Sequence, residues 1–221
     1  MNSLSIQFKP YEKLEQARLM LKQELDAFMP DYSKVQQIGM DFDSFYNTGI
    51  KDNWRTIAVK LGDNQDPVEH ADKFPNTLEI LSECKGVENF GMNFVKPYGR
   101  IMPHTDPEVI VDGKEVPFIN CLAGVVIPSS NVHKCGMMFN NKEVIVAEGE
   151  WITFLPSTKH SAWNYTDHYR LTCMSTINLE YFYTAGSATT RFLNQVKEGN
   201  IVGQGCPKCK AVYVPPRGSC P

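Results

Sequence analysis

The chain has 221 residues, 42% of them hydrophobic and 21% charged, with a formal net charge of −3. That is enough apolar material for one main domain with a real core, and the slight negative balance lacks the basic footprint of a nucleic-acid or anionic-membrane binder. The opening MNSLSIQFKPYEKLEQ carries charge and no apolar run, and nothing approaches the ~18 apolar residues of a membrane span, so neither a signal peptide nor a membrane segment is expected.

In chain order, residues 11–29 place Leu14, Leu21, Leu25 and Phe28 at helical spacing among Glu, Lys and Gln, and Pro30 ends the pattern. Core packing is the expected use of that stripe. Residues 54–61 alternate as a strand does. Pro75, with Asn76 or Thr77 near the start, opens a short capped helix that runs to Cys84. From Phe90 onward the pattern is β. Residues 121–127 form a nearly unbroken apolar run, as in a strand buried on both faces. Residues 137–139 and 142–147 flank Asn140-Asn141, a hairpin with a two-residue turn. Further strands are expected over 151–155 and 171–177. Short strands at regular spacing, with turns rich in Gly, Pro and Asn, indicate a sandwich or barrel, mainly β with flanking helices.

Seven cysteines are present, an odd number, and Cys84, Cys121, Cys135 and Cys173 lie within hydrophobic segments. They read as reduced, buried thiols of a cytoplasmic protein.

The chemistry is concentrated in His104-Thr105-Asp106, then His160, then Arg170. On an extended segment residues i and i+2 leave the same face, so His104 and Asp106 can converge on one metal ion while Thr105 points away. Two histidines and one carboxylate make the facial triad of non-heme Fe(II) oxygenases. A guanidinium stays charged and grips a carboxylate as a bidentate fork, the task posed by the far end of 2-oxoglutarate. Between His160 and Arg170 lies Asn164-Tyr165-Thr166-Asp167, which reads as a turn and would set the two residues nearly opposite on paired strands. An isolated HxD is common, and His70, His133 and His168 read as surface or loop residues, His168 being the one near enough to support the site. Order and spacing carry the reading, together with the position of Arg170 inside an apolar strand. A buried guanidinium calls for a carboxylate partner.

These residues resemble the aspartyl/asparaginyl β-hydroxylase family of Fe(II)- and 2-oxoglutarate-dependent oxygenases. The resemblance runs through Pro97-Tyr98-Gly99-Arg100-Ile101-Met102-Pro103-His104-Thr105-Asp106, Leu122-Ala123-Gly124-Val125-Val126-Ile127-Pro128, Glu148-Gly149-Glu150-Trp151, Phe154 and His160-Ser161-Ala162-Trp163-Asn164 to Arg170. It implies a double-stranded β-helix core (jelly roll, cupin-like), His104 and His160 as iron ligands, and Arg170 on 2-oxoglutarate, with Asn93 where the family places a small polar residue touching the co-substrate; Asp106 is available as the third iron ligand. Some members carry glycine in place of Asp106. The full triad here resembles the branch that hydroxylates free amino acids. Members acting on protein aspartate or asparagine have an arginine near Asn120, which cannot give that charge, so their protein substrate is not transferred. The implied reaction is hydroxylation of an amino acid, a peptidyl residue or a related small metabolite, with succinate and carbon dioxide as co-products. Trp163 and Met102 are candidates for shaping the pocket, and the loop or hairpin around Val111-Asp112-Gly113-Lys114 for covering the substrate.

Domain organisation is read as an oxygenase domain over 1–195 and a tail over 199–221. In the tail, Cys206-Pro207-Lys208-Cys209 and Cys220 resemble a rubredoxin-like zinc ribbon of OB-fold proteins linked to acyl-CoA metabolism. Three thiolates do not close a structural zinc site without another ligand, so the expectation is a truncated ribbon that meets a partner or a further module. Two other functions stay open: a cupin-like metal dioxygenase that uses no 2-oxoglutarate, and a non-catalytic binding module on the same scaffold.

Overall fold

A computed structural model describes residues 12–46, 50, 53–62, 68–107, 110–111, 114–115, 117–179, 195, 204–205 and 212–213. The chain divides into two compact units, Met1–Leu179 and Glu180–Pro221. The first begins with α1 (Glu12–Phe28), α2 (Val35–Ile38), β1 (Met40–Asp41), α3 (Phe42–Phe45), β2 (Trp54–Leu61) and α4 (Pro75–Ser82). Strands β3 (Val87–Val95), β4 (Gly99–His104), the short hairpin β5 (Ile110–Val111) and β6 (Lys114–Glu115), and β7 (Phe118–Val126) follow. It ends with β8 (Cys135–Phe139), β9 (Lys142–Val144), β10 (Trp151–Phe154), β11 (His160–Asn164) and β12 (Arg170–Asn178). Among the described residues no helix is long and apolar enough to cross a membrane.

Two antiparallel sheets carry the architecture, a six-stranded one in the order β1-β2-β3-β12-β7-β10 and a four-stranded one in the order β4-β11-β8-β9. Together they make the double-stranded β-helix, with most neighbours in space coming from distant parts of the chain. Between the sheets sits a core of Trp54, Val95, Ile101, Leu122, Met137, Val146, Phe154 and Ala162.

Alternation along β12 sends Arg170, Thr172, Met174 and Thr176 to one face of the large sheet and Leu171, Cys173, Ser175 and Ile177 to the other. Helix α1 packs on that second face. Arg18 donates to the carbonyl of Gly124 on β7 (3.4 Å), and Glu15 accepts from the Trp151 indole on β10 (2.7 Å). The helix buries Leu14, Ala17, Leu21 and Leu25, the stripe its sequence spacing requires. Glu24 of α1 supplies the cap that α4 lacks locally, accepting from the backbone N–H of Asn76 (2.8 Å) and Thr77 (3.1 Å). The N-cap residue itself is Phe74, with Pro75 at the first helical position.

The expected hairpin at residues 140–141 is present between β8 and β9, and both asparagines adopt the left-handed conformation that a two-residue hairpin turn demands (φ 46° and 67°). One sequence expectation is overturned. His160 and Arg170 do not face one another on paired strands: β11 pairs with β4 and β8, whereas β12 pairs with β3 and β7 in the other sheet. The chain therefore crosses from sheet to sheet between them. Asn164 fixes the crossing, its amide donating to the carbonyls of Val95 (3.1 Å), Lys96 (3.1 Å) and His168 (2.7 Å). In the second unit the described backbone is one antiparallel pair, β13 (Gln204–Gly205) and β14 (Val212–Tyr213).

Candidate functional site

His104 ends β4 and His160 begins β11, and the two are direct partners in the ladder. The register of that ladder shifts between His160 and Ala162, because Ala162 partners Ile101, three residues before His104. Pro103 lies in the extra segment, where its missing N–H costs the ladder nothing. The bulge turns both Ile101 and His104 inward. Asp106 follows two residues on, its backbone N–H held by the carbonyl of Pro156 (2.9 Å).

The three side chains converge, one ligand atom from each lying within 4.8 Å of the others. His104 Nε2 is 3.7 Å from Asp106 Oδ1, and His160 Nε2 is 3.8 Å from Asp106 Oδ2. Each imidazole turns its Nδ1 to a carbonyl two residues back: His104 to Met102 (2.7 Å) and His160 to Thr158 (2.9 Å). A carbonyl can only accept, so Nδ1 carries the proton and Nε2 presents a lone pair to the centre. His104 Nε2 is buried with no hydrogen-bond partner. A buried, unsatisfied lone pair beside a second one and a carboxylate is the donor set a divalent cation completes.

Aromatic rings wall in both imidazoles. Tyr46 and Trp54 lie 4.6 and 5.2 Å from His104, and Phe154 and Phe139 lie 4.8 and 5.8 Å from His160, centroid to centroid. Burial, aided by the neighbouring His160, holds the His104 pKa below its ordinary value and so favours the neutral, metal-binding form.

Asp106 is held by two residues that sequence inspection did not assign to it. Tyr46 donates to Oδ1 (2.9 Å) and Asn120 to Oδ2 (2.6 Å), and Asn120 is fixed in turn by the Thr176 hydroxyl (3.0 Å). Burial, then the Asp106 charge, raises the Tyr46 pKa, so its phenol stays a donor. Tyr46 lies 60 residues upstream of Asp106, and no local spacing could have linked them.

Arg170 is 2% exposed. Among the described residues the Cys135 thiol is the group that acts on it electrostatically, and no described carboxylate lies within ion-pair distance. Burial lowers its pKa, opposed by Cys135. The carboxylate partner expected for it is not supplied by the described protein. A cavity of ≈ 20 Å³ is lined by Arg170, His104, Asp106, His160, Asn93 and Trp54 among others, so the cation and the triad share one chamber although they sit on different sheets. Trp54 Nε1 is a second buried donor there with no partner. A larger cavity of ≈ 330 Å³ shares Asn93, Asp106 and Met174 with the small one. Asn93 accepts from Thr56 (2.6 Å) and donates weakly to the Met174 sulfur (3.7 Å).

The remaining candidates lie elsewhere. His133 and His168 are exposed (side chains 80% and 77%), and His70 lies 5.5 Å from Phe28, ring centre to ring centre. Neither Trp163 nor Met102 lines either cavity. Trp163 lies on the outer side of β11, its indole donating to the Val132 carbonyl (2.7 Å). Asp112 and Gly113 fall outside the described residues, as do Cys206, Cys209 and Cys220. Cys84, Cys121, Cys135 and Cys173 are buried free thiols, as expected.

The model of the family described as aspartyl/asparaginyl beta-hydroxylase matches residues 15–178, the whole span that builds the two sheets and the site. The chain belongs to the aspartyl/asparaginyl β-hydroxylase family. A second model, described as the ChsH2 rubredoxin-like zinc ribbon domain, matches residues 194–221. A search of curated proteins found no match. Solved structures similar to this family member include the Cupin_2 domain of an XRE family transcriptional regulator from Enterobacter cloacae, at 9% identity and a TM-score of 0.36, covering 57% of this chain and 97% of that one. A Cupin 2 conserved barrel domain protein from Salinispora arenicola matches at 10% identity and a TM-score of 0.35, over 58% and 80%. A predicted oxalate decarboxylase from Thermotoga maritima matches at 12% identity and a TM-score of 0.33, over 45% and 73%. Likenesses so distant say nothing about chemistry. Membership of a hydroxylase family and a His-Asp-His cluster able to bind a metal are thus both in hand.

Proposed function

We propose that the protein is an Fe(II)- and 2-oxoglutarate-dependent dioxygenase that hydroxylates a C–H bond of a small molecule or peptide. The observation that carries this reading is Arg170. A guanidinium buried beside a candidate metal site, with no carboxylate partner among the described residues, is costly unless a ligand brings one.

In this reading His104, Asp106 and His160 hold the iron and Arg170 takes the far carboxylate of 2-oxoglutarate, with Trp54 Nε1 and Asn93 as further donors in the same chamber. When bound, the iron and its co-substrate supply the oxidative chemistry: 2-oxoglutarate, dioxygen and the C–H compound become succinate, carbon dioxide and the alcohol. The chain's own work is geometric. The carbonyls of Met102 and Thr158 select the tautomer that leaves each Nε2 free. Tyr46 and Asn120 hold the carboxylate of Asp106 in one orientation, and the aromatic wall around the imidazoles keeps water away. The small chamber has room for about one water, so a five-carbon diacid enters only as side chains part. Met137 and Met174 line it, and a thioether on three rotatable bonds moves at low cost.

Anaerobic titration of the full chain with Fe(II) and then 2-oxoglutarate tests the proposal. A visible charge-transfer band is expected, and it should be lost in Arg170→Met. A metal-dependent dioxygenase that ignores 2-oxoglutarate would give no band and would keep its turnover in that variant. A non-catalytic module would give neither band nor turnover. In the tail, Cys206, Cys209 and Cys220 are proposed to bind zinc. One zinc per chain that falls away in Cys206→Ser supports this, and unchanged zinc content refutes it.

A further inference from the structure

The larger cavity bears on what the enzyme accepts. Resting on the dioxygenase reading for its place in the reaction, we infer that its substrate presents a neutral, apolar group to the metal side of the site, not the charged ends of a free amino acid. The ≈ 330 Å³ cavity touches Asp106 directly and is walled by Met40, Phe42, Phe45, Phe90, Phe118 and Met174. That volume is at the lower end for a small-molecule site. No lysine, arginine or histidine lines it among the described residues, and Asp106 is its one charged side chain.

Most of its polar wall is already engaged. Thr56 donates to Asn93, Thr176 donates to Asn120, and Asn120 and Tyr46 both donate to Asp106. These groups are engaged with one another, and the other polar side chain of the described lining, Asn89, is a neutral amide that supplies no charge. A carboxylate brought into such a pocket would lose its hydration and find no cation among the described residues, and it would sit near the Asp106 charge. An ammonium fares little better, because Asp106 already accepts from two donors and its remaining lone pairs are needed by the metal. Apolar surface continues to the mouth. Phe45 is 69% exposed and Met40 is 44% exposed, and both belong to the lining. Exposed aromatic and thioether side chains running into an apolar pocket are the signature of a site that takes apolar matter from water.

The test uses the full chain, loaded anaerobically with Fe(II) and 2-oxoglutarate, and four ligands of one eight-carbon skeleton: octanamide, octanoate, octylammonium and 2-aminooctanoate. Calorimetry or displacement of the visible band reads the affinity of each. Octanamide should bind at least tenfold tighter than octanoate and 2-aminooctanoate, and tighter than octylammonium. Phe45→Lys, at a position exposed enough to accept the change, should narrow the octanoate deficit at least fivefold by supplying the missing cation. A wild-type preference for the amino acid or the carboxylate overturns the inference, as does a Phe45→Lys protein whose preferences are unchanged. The two readings fail separately. Absence of the band without any third ligand, with octanamide still preferred, removes the iron and 2-oxoglutarate assignment alone. A normal band with 2-aminooctanoate preferred removes this inference alone.

Discussion

Arg18 and Arg170 are both buried, 7% and 2% exposed, on opposite faces of the same six-stranded sheet, and the protein treats them in opposite ways. On the α1 face Arg18 is gripped by both oxygens of Glu15 (2.6 and 2.8 Å) and adds a bond to the carbonyl of Gly124. On the inner face Arg170 has a thiol for a partner and no described carboxylate. A fold that can satisfy a buried guanidinium so fully in one place has left the other unfinished, at the wall of a chamber that also holds two imidazole lone pairs and an aspartate. Where the protein completes its own ion pair the role is structural. Where it withholds the anion, the anion is expected from outside.

Substitutions can break or sharpen this contrast. The largest effect is expected at Arg170. Arg170→Met should weaken 2-oxoglutarate at least ~30-fold, about 2 kcal/mol, the lower range for truncating a buried charge pair. Its melting temperature should hold or rise, since an uncompensated desolvation cost is removed. A variant that binds 2-oxoglutarate normally, or melts many degrees lower, would make Arg170 a structural residue like Arg18. Asn120→Ala comes next. It strips Asp106 of one of its two orienting donors and should lower Fe(II) affinity by ~10-fold, as loss of a residue that orients a ligand usually does. Metal binding at wild-type strength, measured by competition with a chelator, would rule out an orienting role.

Glu15→Gln probes the other arginine. It should cost about 1 kcal/mol of stability, the low end for a charge-assisted bond because Glu15 is partly exposed, and it should leave 2-oxoglutarate binding alone. The effect carries a pH signature. The bond from Arg18 foremost, with that from Trp151, holds the Glu15 pKa below its ordinary 4.5. A carboxylate depressed in the folded state contributes stability above its unfolded pKa and loses it as pH falls through the folded value. The melting gap between wild type and Glu15→Gln should therefore be full near neutrality and close below pH 4.5. A gap independent of pH would mean that the charge of Glu15 does not matter. The smallest change is expected from Cys135→Ala, which removes a weak, neutral partner of Arg170 and should alter 2-oxoglutarate affinity by no more than about threefold.

Much of the fold was legible because its signals are local. The helical stripe of α1, the apolar strand run of β2, and the paired asparagines of the β8–β9 turn each declare themselves within about ten residues. The His-x-Asp spacing was legible for the same reason. The partner strand of β11 was not. A short polar segment between two strands reads as a hairpin, and only the Asn164 amide reaching the carbonyls of Val95 and Lys96 turns it into a crossing between sheets. Asn120 illustrates a different loss. Sequence comparison showed what it is not, an arginine, whereas its use as the partner of Asp106 depends on β7 lying beside β12, where Thr176 fixes its amide. Tyr46, from the region of α3, is equally a product of tertiary contact.

Asn93, Asp106 and Met174 form a partition with one surface in each chamber. Whatever shifts the Met174 thioether on one side reshapes the room on the other, so in the proposed reading the two guests would not be indifferent to one another. By thermodynamic reciprocity, the factor by which the diacid alters the hold on the second molecule equals the factor by which that molecule alters the hold on the diacid. In the proposed reading, a single methionine would thus couple the arrival of one reactant to the presence of the other.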